Sequence, residues 1–169
     1  MLFNNLTNII TKTKQISLCK YNDYVLKKKY NFVELFKDNK HSILYKTNNN
    51  YIVKKTPLYT INNENDILKY LDNKDIIKII NSYNDLHNNY IVMDYYENGD
   101  LYDSIYNNKI VFNNKLMNKD FLIKLINPIL YIHKMNVVHL DLKLENYLIN
   151  NNTNNNTNNN NFILCDFHL

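Results

Sequence analysis

At 169 residues the chain is long enough for one domain with a real core and too short for two of ordinary size. About a fifth of it is asparagine, the 20 basic residues are all lysine, and the net charge of +4 is spread along the chain without an aromatic-interleaved basic stripe, which argues against nucleic-acid binding. No apolar run approaches the ~18 residues of a membrane span, the N-terminus lacks the order of a signal peptide, and Cys19 and Cys165 suggest neither a disulfide framework nor a zinc site.

An intracellular, cytoplasmic protein with no nucleic-acid or membrane partner is therefore expected. Residues with A/T-rich codons dominate, so individual lysines and asparagines carry little weight, and the Lys27 to Lys29 run reads as a solvated face.

Residues 1–28 are polar and weakly patterned, an extension. From Tyr30 the runs NFVELF, SILYK and YIVKK, rich in β-branched and aromatic residues, predict three antiparallel strands, with a turn at Asn48 to Asn50. INNENDILKYLD places Ile61, Ile67, Leu68 and Leu71 at helical spacing. DIIKIINSY and NYIVMDYY predict two more strands, completing a small five-stranded lobe with one helix.

After Gly99, the only glycine, DLYDSIYNN and LMNKDFLIKLINPILYIHKM predict helices. Pro128 should kink the second or mark its true start. The tract 150–161, all Asn and Thr, cannot bury a core and is expected to be a disordered insertion between two short strands. The domain organisation is thus an extension over 1–28, a lobe with its hinge over 29–96, and a partial, mainly helical lobe over 97–169; the fold class is α+β.

The strongest chemical signal is VVHLDLKLENYLI. A loop between a helix and a β-rich run presents an Asp, a Lys two residues on and an Asn five residues on. Phosphoryl transfer needs a carboxylate to orient the attacking hydroxyl, a cation beside the transferred phosphate and an oxygen ligand for Mg²⁺. Asp141, Lys143 and Asn146 supply these three.

The segment resembles the catalytic loop H-R-D-L-K-x-x-N of eukaryotic-type serine/threonine protein kinases. The resemblance implies Asp141 as catalytic base, Lys143 on the γ-phosphate, Asn146 as metal ligand and His139 as a structural support. CDFHL resembles the Asp-Phe-Gly motif, making Asp166 the second metal ligand, with His168 in place of the glycine. YIVKK resembles the V-A-I-K strand, placing Lys54 on the α- and β-phosphates and Lys55 on the opposite, solvated face. Glu64 aligns with the acid that partners this lysine, with Asp66 as fallback.

YIVMDYYENGDL resembles the hinge, with Met93 as gatekeeper and Asp94 to Tyr96 presenting backbone groups to the base. Ile43, Ile52 and Leu148 complete the implied nucleotide-binding set. Leu68, Ile79, His139 and Phe167 would form a hydrophobic stack. The implied cofactors are ATP and Mg²⁺. The implied partner is a Ser/Thr-containing protein substrate or a protein that completes the helical lobe.

Departures from the family are equally specific. The phosphate-covering pattern G-x-G-x-x-G-x-V falls on FKDNKHSI and finds no glycine, so backbone N–H groups lose their close approach to phosphate. Lys37, Lys40 and His41 are the cations on offer there, and weak ATP affinity is expected. Ile52 replaces a small alanine, and Leu140 replaces the arginine that reads activation-loop phosphorylation. The long helix around Phe121 to Ile132 lacks the later helix it packs on in the family, which leaves an apolar face open. Two alternatives follow: a catalytically impaired pseudokinase fragment that binds a partner, and a small-molecule kinase of the aminoglycoside or choline type, against which Lys143 argues.

Overall fold

A computed structural model describes residues 29–30, 32–38, 42–59, 63–107, 119–150 and 161–167. The extension expected over 1–28, Asn39 to His41 of the phosphate-covering segment, Ile61, the first residues of the long helix, positions 151–160 and His168 lie outside the described residues.

Five strands form one sheet in the order β1-β2-β3-β5-β4: β1 (Phe32–Asp38), β2 (Ile43–Thr47), β3 (Tyr51–Pro57), β4 (Ile79–Asn84) and β5 (Asn88–Asp94). The β2–β3 turn works because Asn50 accepts a positive φ of 58°, a conformation that asparagine tolerates better than most residues. The Tyr51 N–H then donates to the Thr47 hydroxyl at 3.1 Å. Between β4 and β5, the Asp85 carboxylate accepts the N–H groups of His87 and Asn88, both at 2.7 Å, and the Tyr90 hydroxyl at 2.8 Å. Burial acts to raise the Asp85 pKa, but these donors outweigh it and hold the carboxyl below its ordinary value.

Strand alternation sorts the side chains onto two faces. Val53 pairs with Val92 and Lys55 with Tyr90, and on that face Tyr30, Val53, Tyr90 and Val92 form a buried cluster flanked by Tyr45, Tyr51 and Tyr83. Lys55 is partly buried rather than solvated, because its ammonium lies 5.7 Å from the centre of the Tyr90 ring. On the opposite face Lys46, Ile52 and Met93 form one cross-strand row, and Leu44, Lys54 and Ile91 the next.

Helix α1 (Glu64–Tyr70) is shorter than expected, since Leu71 already has extended backbone angles. Asp75 to Ile77, expected to begin a strand of the sheet, instead reach a second sheet. Ile77 donates to the Leu164 carbonyl and Leu164 donates to the Asp75 carbonyl, both at 2.9 Å. That second sheet is the hairpin of β6 (Tyr147–Asn150) and β7 (Asn161–Leu164). Asn150 and Asn161, expected at the two ends of a disordered insertion, are paired strand residues, because the ladder that starts at Tyr147 and Leu164 continues through them.

Helix α2 (Leu101–Tyr106) starts where the Asp100 carboxylate accepts the Asp103 N–H at 2.8 Å, an N-cap. Gly99, just before it, has φ 71° and its carbonyl accepts the Ile149 N–H at 3.0 Å. Helix α3 (Lys119–Lys134) contains Pro128 well inside its run, so the proline does not mark the start. Pro128 has no N–H to return to the preceding turn. In that turn the Tyr147 hydroxyl donates to the Leu125 carbonyl at 2.9 Å.

Two compact units result. One comprises the described residues up to 61 together with 80–95 and holds most of the five-stranded sheet; the other comprises 62–79 and 96 onward, with α1, α2, α3 and the β6–β7 hairpin.

Burial pushes the Tyr147 phenol up to about 12 from its ordinary 10.0. The fold therefore favours the protonated phenol, and that contribution is complete below pH 10.0 and is lost as pH rises toward about 12. In urea melts across this alkaline window, stability should fall more steeply for the unsubstituted chain than for Tyr147→Phe. Parallel slopes would show that the buried phenol does not titrate with unfolding.

Candidate active site

The end of α3 sets up the loop that carries the strongest motif. Asn136 adopts φ 57°, and the Val137 N–H reaches back to the Ile132 carbonyl at 2.9 Å, a left-handed helix stop that turns the chain sharply away. His139 follows, 2% exposed. Its Nδ1 accepts the Asp141 N–H at 3.4 Å, so the proton sits on Nε2, which donates to the Cys165 carbonyl at 2.9 Å. The imidazole ring also lies 4.6 Å from the Phe167 ring.

Leu140, between His139 and Asp141, has φ 64° and is 69% exposed. A leucine held in the left-handed region costs on the order of 1 kcal/mol, so the surrounding bonds must hold it there.

Past that point the motif side chains converge. The Lys143 ammonium donates to Asp141 Oδ2 at 2.6 Å. This hydrogen bond chiefly, with the nearby carboxylates of Asp141, Asp166 and Glu145, raises the lysine pKa above its ordinary value. Asn146, 4% exposed, donates its amide to the Asp141 carbonyl at 2.8 Å and to Asp141 Oδ2 at 3.3 Å. With the nitrogen so committed, the amide oxygen is the Asn146 atom suited to a cation. The Cys165 N–H donates to the Asn146 carbonyl at 2.9 Å, and Asp166 follows directly with φ 65°.

The second unit therefore gathers Asp141, Lys143, Asn146 and Asp166 in one neighbourhood. It also buries Leu68 and Phe167 with His139 and partly buries Ile79, the four residues of the expected stack. Glu64 is 1% exposed at the start of α1 whereas Asp66 is exposed, so the two carboxylates expected to compete for one role have opposite environments. Tyr96 and Leu148 are partly buried, and Leu148 bridges Asp100. In the first unit Ile52, Lys54 and Met93 are buried on one face of the sheet, Ile43 is partly buried and Asp94 is exposed.

Among the described residues no three His, Cys, Asp or Glu side chains cluster as a metal cage. The oxygen donors of Asn146 and Asp166 are the chemistry that suits Mg²⁺, which takes one or two protein ligands and the rest from phosphates and water. No described helix is long and apolar enough to cross a membrane.

Sequence reasoning missed the part played by Cys165. Its N–H and carbonyl join Asn146 to His139, and no residue-type signal reveals this, since every residue carries those groups.

His139→Ala should remove the donor from the Cys165 carbonyl and lower stability by ~1–3 kcal/mol. A urea denaturation series reads this directly. An unchanged midpoint would mean that water replaces the imidazole without cost.

The chain is similar in sequence to known protein kinases. The chain is 34% identical over 106 residues to calcium-dependent protein kinase 6 of Plasmodium berghei, covering 63% of this chain and 7% of that protein. It is 34% identical over 99 residues to serine/threonine-protein kinase ksp1 of Schizosaccharomyces pombe, covering 56% and 21%. Against calcium-dependent protein kinase 4 of Plasmodium falciparum the figures are 36% over 86 residues, 51% and 16%. The matched part thus spans less than a quarter of the length of these relatives. The protein kinase domain family matches residues 31–169, nearly all of the described structure. With its catalytic-loop, Asp-Phe and strand-lysine motifs placed as above, this chain belongs to the protein kinase domain family.

Proposed function

We propose that the chain transfers the γ-phosphoryl group of ATP to serine or threonine hydroxyls of protein substrates. The observation that carries the reading is the arrangement around Asp141, where Lys143 holds one carboxylate oxygen and Asn146 holds the backbone. Such a carboxylate is fixed in place, partly exposed, and paired with a cation that remains protonated through the neutral range. That is what orienting and deprotonating a hydroxyl requires.

In this reading Asp141 accepts the hydroxyl proton, and Lys143 moves from Asp141 toward the negative charge of the transferred phosphate. Asn146 and Asp166 hold Mg²⁺, which when bound offsets charge on the phosphate oxygens. Lys54 is assigned to the α- and β-phosphates and Glu64 is its acidic counterpart by family likeness. Ile43, Ile52, Met93, Asp94, Tyr96 and Leu148 are assigned to the nucleotide. A cytoplasmic location accords with this role.

A second reading, a catalytically impaired fragment acting through a partner, is favoured by one observation. On α3, Leu122, Ile126 and Leu130 recur every fourth residue and are 44%, 47% and 52% exposed, an apolar stripe on which a partner protein can pack.

Thermal unfolding with and without MgATP separates the two. At 100 times its dissociation constant the nucleotide should stabilise the chain by ~2.7 kcal/mol, and Asp166→Asn should abolish the Mg²⁺-dependent part. Phosphate incorporation into a generic protein substrate should then be lost in Asp141→Asn. A folded chain with no nucleotide-dependent shift would remove the enzyme reading and leave the partner-binding one.

A further inference from the structure

The first unit carries a pair of aromatic side chains, on Phe36 and Tyr95, to which the motifs give no role of their own. Strand β1 has a register irregularity between Leu35, opposite Tyr45, and Lys37, opposite Leu44, with Phe36 the extra residue between them. A bulge of this kind re-aims a side chain and is frequent beside functional sites. Here it delivers the Phe36 ring edge-on to Tyr95, with ring centres 5.8 Å apart and planes at 80°. The Lys46 ammonium lies over the face of the same tyrosine, 4.0 Å from its centre. The backbone of Tyr95 is fixed by its N–H bond to the Asn50 carbonyl at 2.9 Å.

These side chains border the sheet face that buries Ile52 and Met93, each 8% exposed. Phe36, by contrast, is 49% exposed although it touches an aromatic partner. A half-exposed ring, a second ring and a cation beside apolar neighbours suit a planar, electron-rich ligand, since bases stack on aromatic faces without regard to sequence. A phosphate chain gains nothing from either ring. Phe36 also stands where the family pattern has its first glycine. The position that normally lets the backbone approach phosphate carries an aromatic side chain instead.

We propose that Phe36 and Tyr95 form a base-stacking lip, positioned by Lys46, and that this lip shifts nucleotide recognition from the phosphates toward the nucleobase. The inference rests on the nucleotide-binding reading above and deepens it. It makes Phe36 a specificity-determining residue at a position that the family leaves bare. The adenine ring stacks on the exposed part of Phe36, and the missing glycines matter less because less of the affinity comes from phosphate.

The test is a binding comparison of MgATP, adenosine and inorganic tripolyphosphate on the full chain, with Phe36→Ala, Tyr95→Ala and Phe36→Tyr, each checked for an unaltered melting temperature. The alanine variants should each bind MgATP and adenosine about tenfold more weakly and tripolyphosphate unchanged, while Phe36→Tyr restores binding. If the unsubstituted chain binds MgATP but Phe36→Ala binds it equally well, or loses tripolyphosphate in parallel, the lip is overturned and the nucleotide reading stands. Tighter binding by Phe36→Ala overturns it too, by showing that the ring blocks the face. If adenosine binds through Phe36 while no phosphate is transferred, the lip stands and phosphoryl transfer falls. Absence of binding by all three ligands overturns both.

Discussion

A buried imidazole links the two segments that carry Asp141 and Asp166. His139 accepts the N–H of Asp141 on one nitrogen and donates to the Cys165 carbonyl with the other. One neutral ring thereby ties the loop after α3 to the strand end that carries Asp166. Its two bonds require a single tautomer, so the ring has one way to sit, and Phe167 packed against it removes the freedom to rotate away. Leu140 and Asp166, one on each side of this tie, both have positive backbone angles.

The sheet obeys a different constraint, the two-residue period of the strand. It commits Val53, Val92 and Tyr90 to an aromatic core on one face and leaves Ile52, Lys54 and Met93 on the other. Lys54 is buried to 5% exposure on the same face as its apolar neighbours Ile52 and Met93. The Tyr30 hydroxyl, bonded to Tyr83 at 2.9 Å, secures the described start of the chain to the opposite face.

Much of this was legible in the residues. The five strands follow from β-branched runs broken by asparagine clusters, and their extents shift by only a few residues. Asp141, Lys143 and Asn146 lie in one loop because their spacing is short, so local geometry alone brings them together. Long-range features were harder to read. Asp75 to Ile77 have a strand composition but pair with Leu164, a choice made by tertiary contact and not by propensity. Pro128 could kink the helix or mark its start, and the helix passes through it, with the Tyr147 hydroxyl bonded in the turn before it. The opposite environments of Glu64 and Asp66 depend on which side of a two-turn helix faces inward, and a pattern with so few apolar residues does not fix that.

The pairing of Asn150 with Asn161 has a consequence for how such a gene can vary. With the ladder closed at those two residues, flexible residues added between them would cost little, because loop-closure entropy rises by only ~0.6 kcal/mol for each doubling of length. A change in the number of residues encoded between these positions would therefore leave the hairpin's stability little altered. The same point in the fold is also a natural place to splice in a reporter or an affinity tag.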